Sequence, residues 1–251
     1  MSAAGCGART IHRSGRVTVV YVDLGSSSVR EREALTWLDE PEQARRRRFA
    51  RSGPRREFTL CRAALRALLC RELDCGNEEL SFGASDHGKP FALVGGLPAP
   101  VSFNVSHSGR HGLIAIAPRG RVGVDVEDRK ARRDMDDDIR LLFAPGERAG
   151  LASAEGNSKA DLFYSLWTMK EALVKAAGVG LRIDTTSFEI PPAMSRGATR
   201  CLVRLPVAPS VQWRLENLGN RRYAAALAVE DLPADAGDSP EPQFAQAGAE
   251  R

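Results

Sequence analysis

The chain has 251 residues, enough for one large domain or two small ones around a real core. With 43% hydrophobic and 27% charged residues and a formal net charge of +4, it has the composition of an ordinary soluble globular protein, and no stretch is long and apolar enough to span a membrane. Its five cysteines are odd in number and show neither a CxxC nor a metal-type spacing, so free thiols in a reducing, cytoplasmic setting are the expectation.

In chain order, residues 1–15 are small and polar and read as a mobile N-terminus without a signal-type apolar segment. Val17 to Asp23 is a β-branched strand. A helical region from about Ser28 to Arg51 is interrupted by Pro41, and Ser52-Gly53-Pro54 opens a second helix with proline at its first position. In that helix Phe58, Cys61, Leu65 and Leu68 recur at helical spacing. Strand-like runs follow at Leu80–Phe82, Pro90–Leu93, Val101–Val105 and Leu113–Ala117.

The order then begins again. Arg121 to Glu127 reads as a strand, and a helical stretch covers Leu141 to Ala152. An amphipathic helix follows, with Ser158 as its N-cap, an apolar stripe of Leu162, Leu166, Met169, Leu173 and Ala177, and Gly178 and Gly180 as its stop. Strand-like runs at Ser187–Ile190, Cys201–Leu205, Val211–Leu215 and Tyr223–Val229 close the pattern, and the tail 233–251 reads as disordered. Two α+β halves, 16–119 and 120–232, sharing a cleft are the expected architecture. Such a chain is self-sufficient as a monomer.

Three stretches carry chemistry. In Val122-Gly123-Val124-Asp125-Val126-Glu127, alternation puts the valines on one face and both carboxylates on the other. Neighbouring carboxylates repel one another, which solvent tolerates and a hard cation relieves. Trp167, Glu171 and Lys175 are spaced four apart and share a second face of the amphipathic helix, so Glu171 could complete a three-carboxylate set. Phe103-Asn104-Val105-Ser106-His107-Ser108-Gly109 ends a strand in a turn rich in hydrogen-bonding groups. A nucleophilic Ser–His pair fits poorly, because adjacent strand residues face opposite ways and no third member is evident. Anchoring a phosphate fits better, and a turn that satisfies its own backbone is the plain alternative. Arg45, Arg46, Arg47, Arg48, Arg51, Arg55, Arg56, Arg62 and Arg66 crowd one region and suggest an anionic partner, although a solvated helix face is the usual fate of such a run.

Together these motifs resemble the 4′-phosphopantetheinyl transferases of the long, single-chain type. The match consists of Gly88-Lys89-Pro90, Phe103-Asn104-Val105-Ser106-His107-Ser108, Gly123-Val124-Asp125-Val126-Glu127 and Trp167-Thr168-Met169-Lys170-Glu171-Ala172-Leu173-Val174-Lys175, in that order. The resemblance implies a pseudo-dimer of two α+β halves with the active site between them. It also implies coenzyme A as donor and a serine hydroxyl of an apo acyl- or peptidyl-carrier protein as acceptor. On that resemblance Asp125, Glu127 and Glu171 hold magnesium, with manganese as an alternative. Arg47, Arg62, Lys89, Ser106, His107, Lys170 and Lys175 bind the coenzyme. Glu171 removes the serine proton, directly or through a water, and Lys175 assists the departing 3′,5′-ADP. One departure stands out: Glu57, beside Arg56 and Arg62, lies where relatives commonly carry a basic residue. A non-catalytic adaptor and a nucleic-acid-binding protein are the rival classes. The first has no reason to keep all three carboxylates, and the second lacks a recognisable motif.

Overall fold

The structure is a computed structural model that describes residues 7–130, 135–180 and 183–233. In the first half, strands β1 (Ala8–Ser14) and β2 (Val17–Asp23) lead into helices α1 (Ser28–Leu35), α2 (Glu40–Arg47) and α3 (Ser52–Leu73). A small sheet of β3 (Leu80–Ala84), β4 (Pro90–Val94) and β5 (Leu97–Pro98) follows, then β6 (Ser102–Ser108) and β7 (His111–Ala117). The second half opens with β8 (Val122–Asp128) and continues through α4 (Asp136–Leu142), α5 (Pro145–Ala152) and α6 (Gly156–Ala177). A short α7 (Pro192–Ser195) precedes β9 (Arg200–Leu205), β10 (Ala208–Asn217) and β11 (Tyr223–Glu230). The large sheets run β1-β2-β7-β6 and β8-β11-β10-β9, with antiparallel neighbours throughout.

Each large sheet is buried on both faces, which accounts for the near-continuous apolar character of β2, β7 and β11. Val20 and Val22 of β2 pack with α3, and Ala224, Ala226 and Ala228 of β11 pack with α6. The opposite faces meet each other: Val17, Val19 and Tyr21 share one buried cluster with Val122, Val124, Val126 and Leu227. The molecule is therefore an α+β fold of two similar halves, whose sheets are pressed together and whose long helices lie on the outer faces. Among the described residues no helix is long and apolar enough to cross a membrane.

Helix α6 buries its predicted stripe, with Leu166, Met169, Leu173 and Ala177 in the core and Leu162 packed against it. It ends at Gly178, whose φ of 72° supplies the left-handed C-cap. It lies flush on β8 because Gly123 has no side chain. A Cβ there would sit 2.1 Å from the Ala172 carbonyl oxygen and 2.3 Å from the Ala176 nitrogen.

Several expectations are corrected. Ala8–Ser14, assigned above to a mobile N-terminus, is a strand paired with β2; its side chains were too polar to advertise it. Ser187–Ile190 is not a strand but follows a 3-10 turn at Thr185–Ser187, held by carbonyl bonds to Lys170. Glu155, not Ser158, is the N-cap of α6, and Pro54 stands at the third position of α3 rather than the first. The stretch from Leu141 to Ala152 is two helices, since Pro145 starts α5 afresh. The tail from residue 234 onward lies outside the described residues.

Candidate active site

The seam between the halves brings β6, β8 and α6 together. Strand β8 projects Asp125 and Glu127 from the face that receives α6, the face on which Gly123 touches the helix. Helix α6 presents Glu171 and Lys175, one turn apart and both half-buried. Asp125 is only 3% exposed, so solvent does not relieve its charge. Its Oδ1 accepts from Lys175 Nζ at 2.6 Å and from Ser106 Oγ at 2.7 Å, whereas its Oδ2 is buried without a hydrogen-bond partner. Glu127 accepts from Ser108 Oγ at 2.7 Å.

Burial pushes the Glu127 carboxyl above the ordinary range, and the neighbouring Asp125 charge adds to this. Glu171 is raised for the same reason, burial first, with Asp125 and Glu127 repelling its charged form and Lys175 opposing them. The three carboxylates thus sense one another across the seam. As the side chains stand, no group of three His, Cys, Asp or Glu among the described residues is arranged to hold a metal ion. Lys175 and Ser108 each bond one of these carboxylates, Asp125 and Glu127 respectively, while Asp125 Oδ2 stays without a partner.

Beside the seam is a cavity of about 190 Å³ lined by Arg45, Phe58, Arg62, Pro90, Asn104 and His107 among others. Arg62 lies over the Phe82 ring at 4.4 Å and approaches Glu42 at 3.4 Å, and its Nη1 is buried with no acceptor. Burial lowers its pKa, and Arg45 and Arg66 add like-charge repulsion. His107 is exposed and pairs with Glu57 at 3.4 Å, so the histidine of the turn meets a carboxylate of α3.

Four expected ligands stand elsewhere. Lys170 has a fully buried side chain; its Nζ donates to the carbonyls of Thr185 at 2.7 Å and Phe188 at 2.6 Å and pairs with Glu147 at 2.9 Å. Successive helical residues differ by about 100° in direction, so Lys170 points into the core while Glu171 faces the seam. Burial draws its pKa down, and Glu147 opposes that shift. In this structure it acts as a buried structural cation that ties α6 to α5 and to the turn at Thr185–Ser187. Arg47 is exposed and absent from the cavity, whose lining takes Arg45 instead. Arg45 and Arg46 stand at i+3 and i+4 from the buried Glu42 on α2, so helical spacing alone does not choose between them. Lys89 Nζ donates to Val122 O at 3.0 Å, Lys175 O at 2.8 Å and Ala176 O at 3.2 Å. There it caps the C-terminus of α6, and burial pushes it down to about 8. Ser106 is committed to Asp125, Lys175 and the Val126 N–H rather than turned to the cavity.

Comparison with known proteins matches the two halves separately. Residues 27–119 match the N-terminal domain of 4′-phosphopantetheinyl transferase, and residues 121–228 match the 4′-phosphopantetheinyl transferase superfamily. The chain is 40% identical over 144 residues to a putative 4′-phosphopantetheinyl transferase of Synechocystis, covering 57% of this chain and 58% of that protein. It is 29% identical over 194 residues to the 4′-phosphopantetheinyl transferase HetI of Nostoc, covering 76% of this chain and 78% of the relative. With Sfp of Bacillus subtilis it shares 26% over 171 residues, 68% of this chain and 74% of Sfp. The chain belongs to the 4′-phosphopantetheinyl transferase family and is an enzyme of its long, two-part type.

Proposed function

From that membership we propose that the protein transfers the 4′-phosphopantetheine group of coenzyme A to a serine hydroxyl of an apo acyl- or peptidyl-carrier protein, with magnesium, releasing 3′,5′-ADP. The observation that carries this reading is the facing set Asp125, Glu127, Glu171 and Lys175 at the seam, with a cavity lined by Arg45, Arg62 and His107 in the same region.

The residues fit a hard divalent cation. All three candidate ligands are carboxylates, and Asp125 Oδ2 is a buried oxygen lacking any partner. Asp125, Glu127 and Glu171 would hold magnesium, or manganese in its place. When bound, the ion neutralises pyrophosphate charge.

The chain's own groups account for the remaining steps. Arg45, Arg62 and His107 hold the phosphates of the nucleotide end, where planar guanidinium groups make paired contacts. The serine oxygen forms a bond to the β-phosphorus of coenzyme A, and the bond from that phosphorus to the bridging oxygen breaks. The serine proton passes to Glu171, directly or through a water that it orients. Lys175 Nζ donates to the departing 3′,5′-ADP, whose negative charge grows as the bond breaks. Lys89 and Ser106 act from behind by fixing the end of α6 and Asp125.

Intact-mass spectrometry of an apo carrier protein incubated with this protein, coenzyme A and magnesium tests the proposal. A gain of one phosphopantetheine that vanishes with EDTA is the expected result. No gain with fatty-acid, polyketide and non-ribosomal-peptide carriers, despite coenzyme A binding, would favour a non-catalytic adaptor instead.

A further inference from the structure

We propose that Ser108 is a positioning residue that sets the Glu127 carboxylate, and that it does so from the opposite half of the molecule. The proposal rests on the metal reading above. Strands β6 and β8 are end strands of different sheets, so each has an edge of backbone groups left unpaired by its own sheet. They lie side by side at a constant offset of twenty residues. The N–H groups of Val124, Val126 and Asp128 donate to Asn104 Oδ1 at 2.9 Å, Ser106 Oγ at 3.4 Å and Ser108 Oγ at 3.2 Å. Side chains from one face of β6 thus take the place that carbonyl oxygens hold in an ordinary ladder.

This substitution has a chemical consequence. A carbonyl can only accept, whereas a hydroxyl that accepts from the strand still has a proton to donate. Ser106 gives that proton to Asp125 Oδ1, and Ser108 gives its own to Glu127 Oε2, each at 2.7 Å. Asp125 has a second donor in Lys175. Glu127 has none: among the described residues, Ser108 is the one group that hydrogen-bonds to it. The direction in which Glu127 offers its oxygens therefore depends on a residue of the other half, tethered in turn to the Asp128 N–H next to Glu127. Docking of the halves and readiness of the carboxylate are one event.

Titration of the apo protein with manganese by calorimetry, without coenzyme A or carrier, tests this. Outer partners of metal ligands typically contribute about 10- to 100-fold in affinity, so Ser108→Ala should weaken the manganese Kd by that factor. Ser108→Thr, which keeps the hydroxyl, should recover most of the loss. An unchanged Kd in Ser108→Ala overturns the inference, and so does a Thr variant as weak as the Ala variant. Lowered thermal stability with an unchanged Kd also overturns it and assigns Ser108 to the seam alone. If Ser108→Ala does not fold, Ser108→Cys reads the same quantity through a weak donor: a weakened Kd supports the inference and an unchanged one overturns it. Wild-type protein that takes up no manganese would overturn the metal reading itself, and this inference with it.

Discussion

Arg66 in the first half and Lys170 in the second occupy the same place in the same device. Each is the fifteenth residue of a 22-residue helix, α3 or α6, and each is wholly buried. Arg66 bonds Glu42 at 2.7 Å and the Leu80 carbonyl at 3.1 Å, and it also pairs with Asp39. Lys170 bonds Glu147 and the carbonyls of Thr185 and Phe188. Glu42 and Glu147 are both third residues of the preceding helix, and each also accepts from the N–H that opens that helix, Asp39 or Ala144. One carboxylate thereby ties a helix start, a long helix and a following loop in both halves.

The halves differ on the sheet face beneath that helix. With the inter-sheet residues Val17, Val19 and Tyr21 matched to Val122, Val124 and Val126, Val20 and Val22 correspond to Asp125 and Glu127. Ala67, next to Arg66, corresponds to Glu171, next to Lys170. Where the first half has an apolar plug, the second has three carboxylates that resist burial, two of them with raised pKa values. The difference teaches that one copy of the framework is optimised for packing and the other gives up packing for chemistry.

Replacing Glu171 with the alanine of the first half tests this most sharply. Glu171→Ala should lower transfer on the order of 10³-fold, the scale of losing one transition-state contact. It should also raise the unfolding midpoint by a few degrees, because a disfavoured buried charge is gone. A lowered midpoint would refute the packing comparison even if transfer were lost.

The shared device predicts damage in both halves, the larger in the second, because Glu42 keeps Arg62 after Arg66 is lost. Lys170→Met leaves the buried Glu147 without its cation and Arg66→Met leaves Glu42 with Arg62 alone, each at a cost of up to about 3–5 kcal/mol in denaturant unfolding. Folded Lys170→Met protein should bind coenzyme A as well as wild type. A selective loss of affinity would restore Lys170 to the site.

A smaller effect separates neighbouring arginines of α2. Arg45→Ala should weaken coenzyme A binding about tenfold, near the worth of one charge-assisted hydrogen bond, and Arg47→Ala hardly at all. Calorimetry distinguishes them, and equal losses would mean that the cavity is not the phosphate site.

The smallest effect is in pH. Raised carboxyl pKa values mean that the folded state holds protons that the unfolded chain has released, starting at about pH 4.3 for glutamate. Stability from Glu127 and Glu171 is therefore present below that pH and is lost as pH rises through their raised folded values. In metal-free protein Glu171→Gln should flatten this decline relative to wild type. A parallel pH–stability curve for the variant would remove Glu171 from the coupled set.

The framework was largely legible in the sequence because its cues are local. The stripe of α6, the alternation in β8, the stop at Gly178 and the strand–helix order of both halves depend on periods of 3.6 and 2. Those periods also put Glu171 and Lys175 on one face and Asp125 and Glu127 on another. Strand β1 was missed because it has little apolar contrast and no regular alternation, its pairing with β2 being shifted between Thr10 and His12. Arg45 was not distinguishable because a run of arginines offers no contrast: Arg45 and Arg46 stand at i+3 and i+4 from Glu42, and only the packing shows which one lines the cavity.

What the sequence determined by itself is which side chains share a face and the family to which the motifs belong. What those faces meet was decided by tertiary structure. Lys170 and Glu171 are adjacent in the chain, yet one closes a buried ion pair and the other looks across the seam. Lys89 could be read as a displayed cation until the end of α6 arrived to receive it. Ser108 became a partner of Glu127 only when two unrelated sheet edges lay side by side. Periodicity is set by backbone geometry within one element, whereas each of these contacts joins residues that only the packing of separate elements brings within hydrogen-bond reach.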